Sequence, residues 1–194
     1  MDAGFRIALG ILTAALVLVR TPPQLRAMHA AEKRQLESRW NIALRTLAGL
    51  AGLALLLVYL WRPEWIAWAA LPIPDALRWL GAAIGAGGVA GLIWVHRELG
   101  RNFSATLEIH ADQVLVTSGP YRWVRHPMYT TLFLIVFSFF LLSANWLMGA
   151  MWIGSFTAVV RSRIAKEDAA MESQFGERYR AWAERTGRLV PRLR

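Results

Sequence analysis

Five strongly apolar stretches, Phe5–Val19, Ile42–Trp61, Leu77–Val95, Tyr129–Leu142 and Trp146–Val160, dominate the chain. Within a bilayer each backbone N–H and C=O must be satisfied inside the protein, and continuous apolar runs of this length meet that demand as helices. A crossing takes about 20 apolar residues, so a 194-residue chain that is 56% hydrophobic supplies about five crossings and leaves no room for a large extramembrane domain. The expected fold is therefore all-α: a polytopic membrane protein with five transmembrane helices, forming a single integral membrane domain over residues 1–194. The last two runs are short, about 21 to 23 Å as helix. Only Ser143, Ala144 and Asn145 separate them, which predicts a tight helical hairpin continuing past the apolar run. The first run is read as a retained anchor, because its flanking charges, Arg20 and Arg26, follow it and no small-x-small cleavage site comes next.

Lys and Arg are distributed unevenly between the two faces these spans define. Five lie between Arg20 and Arg39, four between Arg97 and Arg125 and nine from Arg161 to Arg194, so 18 of 22 occupy alternate connections that share one face. By the positive-inside rule that face is cytoplasmic, with the N-terminus outside and the C-terminus inside. Trp61, Trp65, Trp68, Trp79 and Trp146 fall at the expected outer boundary, and Trp40, Trp94 and Trp123 at the inner one. The net charge of +9 is then largely topological, which argues against nucleic acid as a partner. The partner implied directly is the lipid bilayer. The tail carries Met171, Phe175, Tyr179 and Trp182 at helical spacing, followed by Gly187, and is expected to form a cytoplasmic amphipathic helix that can close over a site.

Several motifs have plain structural readings. Gly85 to Ala90 fits a G-x-G-x-x-A dinucleotide pattern but lacks the strand and helix N-terminus that fingerprint needs. Gly81, Gly85, Gly88 and Gly91 are expected instead to let another helix approach closely. Arg45 reads as an anchor at the inner end of its span. His29, His96 and His110 have no metal-ligand spacing, and the chain has no Cys, so no metal site is expected.

Two segments concentrate chemistry in the stretches 96–128 and 161–194, taken as the cytoplasmic functional segments. The run from Gln113 to Tyr129 packs Gly119, Pro120, Tyr121, Arg122, Trp123, Arg125, His126 and Pro127 into the mouth of a transmembrane helix. Pro127 suits the first helical turn and places His126 at the cap. Backbone N–H groups there are expected to be open to an anionic group. At the far end of the hairpin, Arg163 and the acidic pair Glu167 and Asp168 lie one helical turn apart. The hairpin brings the two segments side by side.

These residues resemble the isoprenylcysteine carboxyl methyltransferase family and the related phospholipid methyltransferases. The likeness rests on LVTSGPYRWVRHPMY (Leu115 to Tyr129), RIAKED (Arg163 to Asp168), FGERY (Phe175 to Tyr179) and the upstream LGRNFSATLEI (Leu99 to Ile109). It implies an enzyme that uses S-adenosylmethionine without a Rossmann domain and methylates the carboxylate of a lipophilic or lipidated, isoprenylcysteine-like substrate. By this resemblance the cofactor site includes Gln113, Val114, Leu115, Val116, Tyr121, His126, Pro127, Met128, Tyr129 and Glu167, and Arg163 orients the substrate carboxylate. The chain departs from the family where Asp168 replaces the second Glu of the usual acidic pair and where Thr130 and Thr131 occupy a position that is often small. Other readings of the same residues are an N-methyltransferase acting on a lipid amine headgroup, an NADPH-dependent sterol-type reductase with a related RHPxY stretch, and a non-catalytic membrane scaffold.

Overall fold

A computed structural model describes residues 3–30, 39–100 and 114–192. In chain order these form α1 (Ala3–Ala30), α2 (Arg39–Trp61), a 3-10 segment (Pro63–Ala69), α3 (Asp75–Leu99), a 3-10 turn (Gly119–Arg122), α4 (Pro127–Ser143), α5 (Trp146–Phe175) and α6 (Glu177–Arg185). The all-α expectation holds among the described residues. By length and composition, α1 over Ala3–Leu25 and α3 over Asp75–Leu99 can each cross a membrane alone. Thr46–Trp61 qualifies only together with Pro63–Ala69, bent from it by 107°, and α4 is apolar but short.

The centre of the bundle is the α3–α4 contact, with α1 laid against both and α2 against α5. Its core joins Phe5 and Leu9 of α1, Leu92 of α3, and Ile135 and Phe139 of α4. The glycine-lined face of α3 explains the close approach. A Cβ on Gly81 would come within 2.6 Å of Leu141, one on Gly85 within 2.5 Å of Ser138, and one on Gly88 within 2.8 Å of Ile135. Sparing those methyl groups lets the α3 backbone press onto α4. Meanwhile Ile7, Ile11, Leu18, Leu47 and Leu80 are exposed on the outer helix faces, the surface a lipid environment would cover.

The hairpin turns on two residues. Ala144 ends α4 in the left-handed region at φ 46°, and Asn145 caps α5 by accepting from the Met148 N–H at 3.1 Å. The Asn145 amide also donates to the Ile66 carbonyl at 2.9 Å. Arg78 closes this end: it donates to the Leu142 carbonyl at 2.9 Å and lies 3.8 Å above the Phe5 ring, so the last carbonyls of α4 meet a cation. Trp68 and Trp146 pair here with ring centroids 5.5 Å apart, while Trp94 and Trp123 pair at 5.8 Å near the mouth. The two aromatic groups thus lie at opposite ends of the hairpin, as the boundary reading expects.

The tail departs from that reading. Its helical spacing suggested one continuous helix through Phe175 and Tyr179, but α5 stops at Phe175, and Gly176, at φ 52°, turns the chain into α6. A left-handed residue cannot continue a right-handed helix, and only glycine adopts it at no steric cost. The side chains of His29, Trp40 and Arg45, and all of His110 and Gln113, lie outside what is described.

Candidate active site

Residues 114–118 lead, without regular secondary structure, into the 3-10 turn that precedes α4, with Ser118 itself extended. The entry depends on Gly119, which has φ +54° and lies so close to Glu98 that a Cβ would meet its carboxylate carbon at 2.5 Å. Ser118 donates to the same Glu98 at 2.8 Å, fixing this segment to the end of α3. As expected, Pro127 opens α4 and His126 is its N-cap.

Five polar side chains from the two hairpin arms meet at the mouth. The Tyr129 hydroxyl donates to Glu167 Oε1 at 2.6 Å, and Arg163 Nε donates to the same oxygen at 3.2 Å. The His126 ring bridges the acidic pair, with Nε2 2.8 Å from Asp168 Oδ1 and Nδ1 3.5 Å from Glu167 Oε2. It also stacks against the Tyr129 ring at 5.8 Å between centroids. Burial alone would lower the His126 pKa, but its hydrogen bonds to Asp168 and Glu167 outweigh that and shift it upward. Burial would likewise raise Glu167, yet hydrogen bonds from His126 and Tyr129 with the charge of Arg163 hold it below its usual value. Asp168 is depressed further against the same burial by His126, Tyr179 and Arg188. The Tyr121 hydroxyl is pushed up by burial and by Glu167. The mouth therefore gathers an imidazole whose protonated form is favoured and a guanidinium around two carboxylates held ionised.

The tail completes this cluster. Tyr179 donates to Asp168 Oδ1 at 2.5 Å, Arg188 pairs with Oδ2 at 2.8 Å, and the Trp182 indole donates to the Tyr121 carbonyl at 3.1 Å. Arg125 and His126 give their backbone N–H groups to the carbonyls of Gly187 and Arg188 at 2.8 and 3.1 Å, and Gly187 donates back to Trp123 at 3.0 Å. Thr130, at a position where the family often has a small residue, donates to the Leu189 carbonyl at 2.5 Å. Tyr129 and Thr130 N–H groups turn back to the His126 carbonyl. The expectation of open backbone donors for an anion is thus corrected, since these amides are spent on the tail and the first turn.

Of the sequence-derived site residues, His126, Tyr129, Arg163 and Glu167 converge directly, and Tyr121 lies buried behind them through its link to Trp182. Pro127 is buried and Met128 packs on the core. Leu115 is buried, Val114 exposed and Val116 partly buried in the segment leading to the 3-10 turn, whereas Gln113 lies outside the described residues. Asp168 was named with Glu167 as the acidic pair but without a role, and Tyr179 and Arg188 were missed as site-forming residues. The available signal was the FGERY run following the acidic pair at a one-helix distance. Among the described residues, no group of three or more His, Asp or Glu is arranged to hold a metal ion.

The model of the isoprenylcysteine carboxyl methyltransferase family matches residues 83–173, from mid α3 through both hairpin arms to the acidic pair. A solved structure of the eukaryotic intramembrane Ras methyltransferase ICMT, isoprenylcysteine carboxyl methyltransferase, shares the fold at a TM-score of 0.60 and 22% identity. The match covers 91% of this chain and 60% of that one, so the chain spans about three fifths of its length. Comparison with curated proteins finds no match. The resemblance read from the sequence is borne out over residues 83–173, which match the model of the isoprenylcysteine carboxyl methyltransferase family.

Proposed function

We propose that this chain transfers a methyl group from S-adenosylmethionine to the carboxylate of a lipophilic, isoprenylcysteine-like substrate. The observation that carries the reading is the hydrogen-bonded cluster of His126, Tyr129, Arg163 and Glu167 at the hairpin mouth, which falls inside the family-matched residues. In the same reading five helices cross the bilayer over the runs given above, one domain spans residues 1–194, and the charge distribution puts the mouth on the cytoplasmic side.

The donor set suits the cofactor. Its cationic end calls for an anion, and Glu167 is held ionised yet keeps part of its side chain, 24%, accessible. Tyr121 and Tyr129 offer aromatic surface for the adenine or the sulfonium, and residues 113–116, with Pro127 and Met128, would line the approach. When bound, S-adenosylmethionine supplies an electrophilic methyl group on a sulfonium.

The chain's own residues have a positioning task. A carboxylate acceptor is already ionised at neutral pH, so no general base is required and rate comes from orientation and exclusion of water. Arg163 suits this, because its planar fork can hold a carboxylate bidentately and its Nε is anchored on Glu167. Glu167 Oε1 is shared by Tyr129 and Arg163, so the cofactor-facing and substrate-facing roles meet at one oxygen. His126 holds the two carboxylates in register, and the docked tail covers the cluster from the aqueous side.

The test uses detergent-purified protein, S-adenosylmethionine labelled on the methyl group, and either N-acetyl-S-farnesylcysteine or phosphatidylethanolamine. Label on the farnesylcysteine that base treatment releases as volatile methanol is the expected result, since esters hydrolyse and N-methyl groups do not. Base-stable label on the lipid amine would transfer the assignment to amine methylation, and no label on either would refute methyl transfer. Arg163→Ala is expected to cut turnover by about 100-fold or more, with the affinity for S-adenosylhomocysteine kept within a few fold.

A further inference from the structure

Arg6 and Arg78 belong to the end of the bundle where the hairpin turns, away from the basic connections, yet both line one cavity. It has a volume of about 350 Å³ and is walled by Arg6 of α1, Tyr59 of α2, Glu64 of the 3-10 segment, Arg78 of α3 and Asn145 at the turn. Arg78 is only 7% exposed, and its guanidinium is fixed on neutral oxygens, the Leu142 carbonyl at 2.9 Å and the Tyr59 hydroxyl at 3.4 Å. Arg6 donates through Nη1 to the Leu60 carbonyl at 3.3 Å, while its Nε is buried with no hydrogen-bond partner. The carboxylate of the lining, Glu64, is 59% exposed and lies 3.7 Å from Arg62, so it sits at the solvated rim and leaves the deeper wall positive.

A guanidinium N–H held away from water is costly until an acceptor meets it. Phosphate suits this wall, because it is anionic and its oxygens point in several directions, so one group can accept from guanidinium forks on two different helices. The volume stands at the lower end of the roughly 300–1,000 Å³ typical of small-molecule sites, which accommodates a headgroup and not its acyl chains. Those chains have a place outside the cavity: Ile7 beside Arg6, and Leu77 and Leu80 close to Arg78 in sequence, are exposed. Trp61, Trp65, Trp68, Trp79 and Trp146 are exposed too, each within two residues of a lining position, and such side chains collect at the level of lipid headgroups. The surroundings therefore favour a phosphate carried by a lipid over a free one.

We propose that this cavity is a phospholipid site, in which Arg6 and Arg78 hold the headgroup phosphate and the acyl chains lie along the exposed faces of α1 and α3. It lies at the opposite end of the hairpin from His126 and Glu167, and it stands independently of the methyltransferase reading.

Native mass spectrometry of the detergent-purified protein tests the proposal by titration with dioleoylphosphatidylglycerol or with dioleoylglycerol, which has the same chains and no phosphate. Calorimetry with inorganic phosphate tests the free anion. The proteins are wild type, Arg6→Gln, Arg6→Lys and Arg161→Gln, the last removing one exposed charge from α5 outside the cavity. Wild type is expected to bind one phosphatidylglycerol at least tenfold more tightly than dioleoylglycerol, and to give no heat with inorganic phosphate. Arg6→Gln should weaken phosphatidylglycerol by about tenfold, as loss of one charge-assisted hydrogen bond predicts. Arg6→Lys should restore part of that affinity, and Arg161→Gln should leave it unchanged. Equal affinity for the two lipids overturns the proposal, as does unchanged binding in Arg6→Gln or an equal loss in Arg161→Gln, which would make the attraction one of net charge. Binding of inorganic phosphate without phosphatidylglycerol also overturns it, in favour of a free-anion site. The two-lipid comparison uses wild type alone, so it decides the matter even where Arg6→Gln does not fold.

Discussion

Asp168 should be the latch that holds the tail over the mouth, and its removal has a calculable local effect. Its Oδ1 accepts from Tyr179 at 2.5 Å and from His126 at 2.8 Å. Hydrogen bonds to a charged group contribute about 1.5 to 3 kcal/mol each. The Arg188 pair adds at most about 1 kcal/mol, because that side chain is 52% exposed, and Arg125 at 3.9 Å adds little. His126 belongs to the hairpin and not to the tail, so Asp168→Ala should weaken docking by the Tyr179 and Arg188 contributions, about 1.5 to 4 kcal/mol, which at 1.4 kcal/mol per decade is a rise in local opening of roughly tenfold to several hundredfold. Asp168→Asn keeps an acceptor oxygen and loses only the charge, so a rise of about tenfold is expected. Hydrogen–deuterium exchange read by mass spectrometry on the detergent-solubilised protein measures this at residues 121–128 and 184–192, with 75–99 in α3 as internal reference. Unchanged tail exchange in Asp168→Ala would refute the latch. Equal acceleration in α3 would show that Asp168 supports the whole bundle and not the tail alone.

Three further outcomes are expected. Gly88→Ala places a Cβ 2.8 Å from Ile135 and 3.1 Å from the Thr131 carbonyl and should destabilise by about 1 to 3 kcal/mol, whereas Gly87→Ala meets nothing within 4 Å and should be neutral or stabilising by up to about 1 kcal/mol; equal melting shifts for the pair would contradict the α3–α4 packing. Because the His126 pKa is raised, its contribution is fully present below the unfolded value of about 6.5 and is lost as pH rises through the folded value, while the depressed Glu167 and Asp168 contribute above about 4 and lose their effect only in acid. A melting scan from pH 5 to 9.5 should accordingly show an alkaline decline that His126→Gln flattens, and a decline of the same size in that variant would count against it. Glu167→Ala should lower both cofactor-product affinity and turnover, in contrast to Arg163→Ala, since Glu167 anchors the Arg163 guanidinium; normal turnover in that variant would break the proposed coupling.

The parts of the fold visible in the sequence are those encoded locally. Pro127 fixes φ and lacks an N–H, so it marks the start of α4 and leaves His126 at the cap. The four-residue spacing of Gly81 and Gly85 marks a face with no Cβ atoms, and that face is where α4 packs. Arg163 and Glu167 meet because i and i+4 share a helix face. The pairing of Val124 with Gly187 joins positions too distant for any periodicity to report. Gly176 was hidden within a side-chain spacing that suits a helix, and only its left-handed backbone breaks it. The central place of Asp168 escaped because it takes its meaning from side chains contributed by other elements, which local pattern cannot supply.

Thermal stability of the detergent-purified protein with S-adenosylhomocysteine, with NADPH and with neither decides which ligand the mouth receives. A ligand that binds only the folded state at 100 times its Kd adds about 2.7 kcal/mol. A methyltransferase site held by Glu167 should give a clear rise in melting temperature with S-adenosylhomocysteine, none with NADPH, and loss of the rise in Glu167→Ala. Stabilisation by NADPH alone, or by neither ligand in protein shown to be folded, would contradict it.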